Sequence, residues 1–570
     1  MRIVFALAAV VLAGCQPSTP PPASGSADAQ QAAPAGPLSS HVSGPEISGE
    51  DFAEHVRMLS SDEFAGRAPG TIGEQKTVAY LEDQFKRLGL KPGNGDSFRQ
   101  TVPMVASKVA PDTTLTLHFE DGDEVLKFGS EMVLGSSTGQ AEIKLDHSEM
   151  VFLGYGVSAP EADWNDYSVD VKGKTVVLLV NDPGFHVGDE SLFQGRRMTY
   201  YGRWSYKYEE AARQGAAAAL IIHDDAGAGY GWDVVQNSWS GEQYDLPYEQ
   251  GDAPRLPVQG WLTGEQADKL FKRVGLSLPE LRQAANQRDF KPVALNVAAS
   301  TVLNSEIHRA SSDNVMALLP GSERPEELIV YMGHWDHLGT NPDLQGDQIY
   351  NGAIDNATGI AGILEIAERF VTQSEPPKRS VLFLAVTLEE SGLLGSKFYA
   401  ANPIFPLNQT VAAINLDAMH LPGPTRDLVV IGLGNSELED ILRPIADAQG
   451  RTLRPEAGLE KGFFYRSDHF SFAKAGVPAL YAKSGVDHIE GGKERGEAWG
   501  AGYTAERYHK PADEFDPNWE LAGVVQDLSA LYQVGAQLAA GEQWPNWYAG
   551  NEFRAIRDAA RGEAAVANAD

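Results

Sequence analysis

"ELIVYMGHWDHLG", residues 327–339, opens on an unbroken apolar run and closes on two histidines and an aspartate. Leu328 to Met332 leave no polar face, the pattern of a strand buried on both sides. Four later runs share this texture: "SVLFLAVTL" (380–388), "TVAAINLD" (410–417), "DLVVIGL" (427–433) and "VPALYA" (477–482). Helical segments lie between them. In "ATGIAGILEIAERF" (357–370), Ile360, Ile363, Leu364 and Ala367 fall on one side. This alternation from Asn314 onward predicts a three-layer α/β domain around a largely parallel or mixed sheet.

Upstream, "EDFAEHVRMLSS" predicts a helix capped by Ser48 with Phe52, Val56 and Leu59 on one face. "EQKTVAYLEDQFKRLGL" predicts a second, with Val78, Leu81 and Phe85 inward and Gly89 closing it. From about residue 106 the texture turns to β, in "TTLTLHF", "EMVFLGYGV" and "KTVVLLV". "SYKYEEAARQGAAAALIIH" then reads as a helix, a stop at Gly215 and a buried strand, Ala218 to Ile222.

The 570 residues exceed one ordinary core, so more than one domain is expected. Apolar content of 42% and charged content of 22% are those of a globular chain. With 46 basic against 78 acidic residues the formal charge is −32, which argues against a nucleic-acid partner and against a basic membrane-binding face. The first fifteen residues, "MRIVFALAAVVLAGC", have the layout of an export signal. Cys15 is the single cysteine, so disulfides within the chain are excluded. Residues 16–45 are rich in Pro, Ala and Ser and read as a disordered tether.

Ligands in open α/β sheets gather where strands end at their carboxyl edge. Those ends carry His334-Trp335-Asp336-His337, Glu389-Glu390-Ser391-Gly392 and Asp417, with Asp355-Asn356-Ala357-Thr358-Gly359 at a helix start and Tyr508-His509 far downstream. His334, Asp355, Glu390, Asp417 and His509 suit zinc, or a related divalent ion such as cobalt or manganese. Five such ligands exceed one four-coordinate zinc and fit two ions sharing a carboxylate. Each also has a plain reading alone: a polar strand end, a helix N-cap at Asp355, a solvated glutamate pair. Alternation places His334 and Asp336 on one side, so the Asp336 carboxylate is expected to accept the His334 ring N–H. His337 falls on the other side, as a structural or rim residue. Ser391-Gly392 is the expected break that lets one glutamate bind metal while the other stays free as a general base.

Together, His-x-Asp, Asp-Asn-x-x-Gly, "EESGLLGS" (389–396), Asp and Tyr-His resemble the co-catalytic di-zinc peptidases of metallopeptidase family twenty-eight. Leucyl-type aminopeptidases, glutamate carboxypeptidase II and glutaminyl cyclases belong to it. The likeness extends to "LSSDEFAGRAPGTIGEQKTVAYLEDQFKRLGLKPG" near the start and "YHKPADEFDP" near the end. It implies a zinc-exopeptidase-like fold with two zinc ions bridged by Asp355. One ion would take His334 and Asp417, the other Glu390 and His509. Glu389 would be the base for the attacking water, Asp336 would orient His334, and Tyr508 would stabilise the oxyanion. Ser467-Asp468-His469 matches a loop near the site, in a structural role. Asn356 departs from the pattern, in which a second Asp often follows the bridging one.

Residues 145–300 resemble an inserted protease-associated domain, and Leu12-Ala13-Gly14-Cys15 resembles the bacterial lipobox. The chain therefore divides into a lipoprotein signal peptide (1–15), the tether (16–45), a zinc peptidase domain (46–144 and 301–548), the insert (145–300) and a tail (549–570). The implied function is removal of N-terminal amino acids from peptides with a free N-terminus. The expected place is the bacterial cell envelope, with the membrane held through a lipid on Cys15 only and Gln16 pointing to the outer membrane. Carboxypeptidase action, glutaminyl cyclisation and a non-catalytic binding ectodomain are the alternatives. Trp232, Trp499 and Tyr503 are the expected pocket walls.

Overall fold

The computed structural model describes residues 44–249, 253–419 and 421–567. The signal peptide, Cys15 and nearly all of the tether lie outside the described residues. The five apolar runs form neighbouring strands of one mixed sheet. Arg324–His334 lies between Arg379–Val386 and Thr410–Asn415, parallel to both, and Thr410–Asn415 pairs in parallel with Ala479–Ser484. Asp427–Val430 follows antiparallel to Ala479–Ser484, and Val293–Leu319 runs antiparallel to Arg379–Val386.

Burial on both faces is literal. Ile329 and Tyr331 pack with Val381, Phe383 and Ala385 on one side, while Leu328, Val330 and Met332 pack with Leu382, Leu384 and Val386 on the other. Helices Gly49–Leu59, Ile72–Arg87, Thr358–Val371, Leu438–Ala448 and Ala522–Ala540 cover the first face. Leu394–Ala401, His469–Lys474, Trp547 and Phe553 cover the second. This is the three-layer α/β arrangement expected. Each fully buried Leu, Ile or Phe contributes about 1.5–3 kcal/mol. The predicted cap is present: Ser48 Oγ accepts from the Asp51 N–H at 3.1 Å, and Phe52, Val56 and Leu59 are buried.

Val293–Leu319 is a 27-residue strand that serves two sheets. Its second half pairs with Arg99–Val109 and Arg379–Val386. Its first half pairs with Thr114–Phe119 and Glu142–Phe152. From there a second sheet continues in parallel through Thr175–Leu179, Ala218–Ile222 and Val258–Leu262, closed by antiparallel Met132–Gly135. This sheet takes in residues from Thr114, upstream of residue 145. Among the described residues no helix is long and apolar enough to cross a membrane.

One buried carboxylate sets a pH dependence. Glu365, in helix Thr358–Val371, accepts from the Ser48 N–H at 2.8 Å, while its other oxygen has no partner among the described residues. Burial, with Glu368 and Asp51 nearby, pushes its carboxyl from 4.5 up to about 8. A carboxyl raised in the folded state favours the protonated protein, so its contribution is fully present below about pH 4.5 and is lost as pH rises to about 8. Glu365→Gln is expected to raise the unfolding free energy at pH 8 by on the order of 1–3 kcal/mol, with the gain vanishing near pH 4.5. Urea denaturation at the two pH values measures it; an equal effect at both would refute the assignment.

Candidate active site

The strand ends deliver the five residues to one place. His334 closes its strand, and its Nε2 lies 3.2 Å from Asp355 Oδ1 and 3.6 Å from Asp417 Oδ1. His509 Nε2 lies 3.3 Å from Asp355 Oδ2 and 3.1 Å from Glu390 Oε2. Asp355 therefore stands between the two imidazoles, one oxygen toward each. It is no N-cap: the helix begins at Thr358, and Asp355 lies in the turn ahead of it.

Backbone in the left-handed region aims these side chains. Leu388, Ala418 and His509 have φ of 57°, 47° and 56°, beside or at Glu389, Asp417 and His509. Such a conformation in a non-glycine residue costs of order 1–3 kcal/mol and persists where surrounding contacts enforce it. The break after Arg379–Val386 therefore comes at Leu388, earlier than the Ser391-Gly392 expected. Tyr481 adds support by donating its hydroxyl to the Asp417 carbonyl at 2.9 Å.

Asn356 ties two strand ends and a helix start together. Its Nδ2 donates to the carbonyls of His334 (3.2 Å) and Leu416 (3.1 Å), and its Oδ1 accepts from the N–H groups of Gly359 (2.9 Å) and Ala418 (3.1 Å). Only an amide supplies both roles. Gly359 is required here, because a Cβ would collide with Asn356 Oδ1 and the Leu416 carbonyl. Asn356→Asp turns two donors toward carbonyls into acceptors. It is expected to cost about 1–3 kcal/mol of stability, read as a lower urea midpoint; an unchanged midpoint would show that the network does not hold the strand ends.

Two supports have no local signature in the sequence. Asp513 accepts from the N–H groups of Ile354 and Asp355, at 3.1 Å for each, fixing the turn that carries Asp355. Arg67 is fully buried and donates to the carbonyls of Leu59, Trp335, Asn351 and Gly352.

Three expectations need correction. The partner of His334 Nδ1 is the Asp336 main-chain carbonyl at 3.1 Å, whereas the Asp336 carboxylate lies 3.8 Å away and accepts from the Glu389 N–H at 3.2 Å. The strand ends at His334, so the side-chain alternation assumed for Asp336 no longer applies. For the same reason His337 does not face away: its Nδ1 meets Glu390 Oε1 at 2.7 Å, and its ring lies edge-on to His509. Trp232 has its contacts in the second-sheet region, where its ring N–H donates to the Gly129 carbonyl at 2.8 Å. Trp499 and Tyr503 do belong nearby. Trp499 stacks on Tyr503, Tyr503 neighbours Tyr508, and Tyr508 stacks on His509 at 3.9 Å between ring centroids. Tyr508 is 42% exposed, at the mouth.

The electrostatics separate the two glutamates. Burial works against ionisation of Glu390, but His337 and His509 outweigh it and hold its carboxyl at about 2. For Glu389, burial and the charges of Glu390, Asp468 and Asp417 push the carboxyl well above the usual range, against the pull of His334. Burial, with Asp336 and Asp417 nearby, also lifts Asp468, to about 7.

The donor set fits a divalent cation. The Asp336 carbonyl has no proton, so His334 Nδ1 carries the hydrogen, and Nε2 of the neutral ring is a bare lone pair. That lone pair nevertheless faces two carboxylate oxygens in a buried site, an arrangement that needs positive charge among them. Burial opposes charge on His509, but Asp355 and Glu390 push it up to about 10. His334 is raised likewise by Glu389, Asp355 and Asp417. Ligand atoms of His334, Asp355 and Asp417 lie close enough together to share an ion, as do those of His337, Asp355 and Glu390.

The chain is similar to known peptidases. Residues 314–533 match the model of peptidase family M28. These residues are similar to that family. All five residues of the site lie within this stretch. A probable zinc metalloprotease of Pyrenophora teres f. teres is 37% identical over 127 residues, 22% of this chain and 23% of that protein. A probable leucine aminopeptidase 2 of Aspergillus oryzae is 24% identical over 493 residues, 84% of this chain and 80% of that protein. The matched stretch thus spans about a quarter of the Pyrenophora relatives. Among solved structures, an aminopeptidase from Aneurinibacillus sp. strain AM-1 is 19% identical, with a TM-score of 0.46, covering 88% of this chain and 96% of that one.

Proposed function

We propose that the chain is a di-zinc exopeptidase that removes amino acids from the free N-terminus of peptides. The observation that carries this reading is Asp355, with one oxygen toward His334 and the other toward His509. His334 and Asp417 would hold one ion, Glu390 and His509 the other, with Asp355 shared and His337 buttressing Glu390. Zinc held there would polarise a peptide carbonyl and acidify water.

Glu389 would take the proton of the attacking water and pass it to the leaving amine, its carboxyl ionising once cations in the site offset the neighbouring carboxylates. Asp336 holds it through its main-chain N–H and carries His334 on its own carbonyl. Tyr508 would donate to the developing oxyanion at the mouth. The aminopeptidase names of the Aspergillus relative and of the mouse aminopeptidase NAALADL1, 26% identical over 187 residues, favour N-terminal removal. Export, lipid attachment at Cys15 and a protease-associated role for the second sheet belong to the same proposal, on the sequence resemblances.

A panel of aminoacyl p-nitroanilides, assayed with and without chelator alongside zinc content per chain, tests it. Release that chelator abolishes and zinc restores is expected. Absence of chelator-sensitive release from every free-amine substrate would overturn the aminopeptidase reading.

A further inference from the structure

The loop that carries Glu389 and Glu390 is closed at its neck by two leucines. The Leu394 N–H donates to the Leu388 carbonyl at 3.0 Å, and the Gly392 and Leu393 N–H groups donate to the Glu389 carbonyl at 2.8 and 2.9 Å. Leu388 holds the left-handed backbone, φ 57°, that a bulky side chain keeps only where its surroundings enforce it. Both leucines are buried in a small cluster with Val102 and Met104, on which Leu246 and Phe398 pack.

Val102 and Met104 lie on strand Arg99–Val109, and Phe398 on helix Leu394–Ala401. Leu246 comes from the second-sheet part of the chain. The helix ahead of it, Trp232–Ser240, packs through Val235 and Trp239 with Val133 and Trp261. The strand after it, Val258–Leu262, lies within the second sheet. Between these, Gln243–Asp245 pairs antiparallel with Arg99–Val109, Gln243 opposite Ser107 and Asp245 opposite Val105. Arg255 clamps the excursion: its Nη1 donates to the carbonyls of Leu246 (2.8 Å) and Ser137 (2.7 Å) and lies 3.2 Å from Asp245 Oδ1.

The two glutamates depend on this neck unequally. Glu390 is held at both carboxylate oxygens, by His337 and His509. The Glu389 carboxylate has no hydrogen bond among the described residues. Its place rests on its main-chain N–H, donated to Asp336 at 3.2 Å, and on the neck beside it.

We propose that Leu246 is a positioning residue for Glu389, a strap from the second sheet that braces the neck of the glutamate loop and so aims the proton-accepting carboxylate. This rests on the reading of Glu389 as the base. The second sheet then serves catalysis without touching substrate or metal. The test compares the zinc-loaded full chain with Leu246→Ala, Leu246→Met and, as control, Leu281→Ala. Leu281 is a half-buried leucine packed on the core of the second sheet. For each protein kcat and KM on leucyl p-nitroanilide, zinc per chain and the urea midpoint are measured.

Leu246→Ala is expected to lower kcat by roughly 10–100-fold with KM within about twofold, the effect of a misplaced reacting group. Zinc content stays unchanged, because Glu390 keeps His337 and His509. Leu246→Met refills the contact and is expected to bring kcat back to within about threefold of wild type. Leu281→Ala lowers the urea midpoint and leaves kcat as it is. Should the alanine variant not fold, Leu246→Val is read by the same criteria. Unchanged kcat in Leu246→Ala, an equal fall in Leu281→Ala, or zinc lost along with the activity overturns the proposal alone. Wild type that cleaves no free-amine substrate overturns the reading of Glu389 as base, and this proposal with it.

Discussion

Replacing Glu389 by Gln is expected to leave zinc content at about two ions per chain and to lower kcat by about 10²–10⁴-fold, the span of general acid–base catalysis. The two adjacent glutamates are not equivalent. Glu390 is engaged on both oxygens, by His337 Nδ1 at 2.7 Å and His509 Nε2 at 3.1 Å. Glu389 is anchored through its main-chain N–H, which leaves its carboxylate unspent. An amide at this position keeps the shape of the side chain but cannot accept a proton at neutral pH. Metal analysis beside steady-state kinetics separates the outcomes. Loss of zinc with the activity would mean that Glu389 is a ligand and that the roles of the pair are exchanged.

Asp355→Asn is expected to remove both ions together, taking zinc content from about two to below one and activity down at least as far as Glu389→Gln. Asp355 is in contact with both His334 and His509. An asparagine offers one neutral oxygen in place of two charged ones, and its amide nitrogen would face an imidazole lone pair. Asp417→Asn is the control, because Asp417 contacts His334 alone of the two imidazoles and should cost one ion. Retention of both ions in Asp355→Asn would sink the shared-carboxylate geometry.

The sheet was legible because its signal is local. Strands such as Arg379–Val386 are buried along their whole length and show it as an uninterrupted apolar run. The five candidate ligands were legible for a related reason: each stands at the end of such a run or beside a turn. Contacts that depend on distant chain were not. Arg67 reaches Trp335 across 268 positions and Asn351 across 284, and no spacing rule connects them. His337 was misplaced because strand alternation was extended past the point where the strand ends. There the chain is positioned by the His337 N–H donating to the Arg67 carbonyl. Asp513 sits in a plain polar stretch, and its role exists only once the Ile354–Asp355 turn is in place beside it.

The strand Val293–Leu319 makes the molecule indivisible in a way its two sheets do not reveal. A module joined by flexible linkers can be gained, lost or exchanged with its host intact. Here one uninterrupted backbone is the neighbour of Glu142–Phe152 at one end and of Arg379–Val386 at the other. Excising the second sheet would cut this strand between Asn304 and Ser305, where pairing with Glu142–Phe152 gives way directly to pairing with Arg99–Val109. The two parts consequently share one register, so a shift of the strand in one sheet is felt in the other.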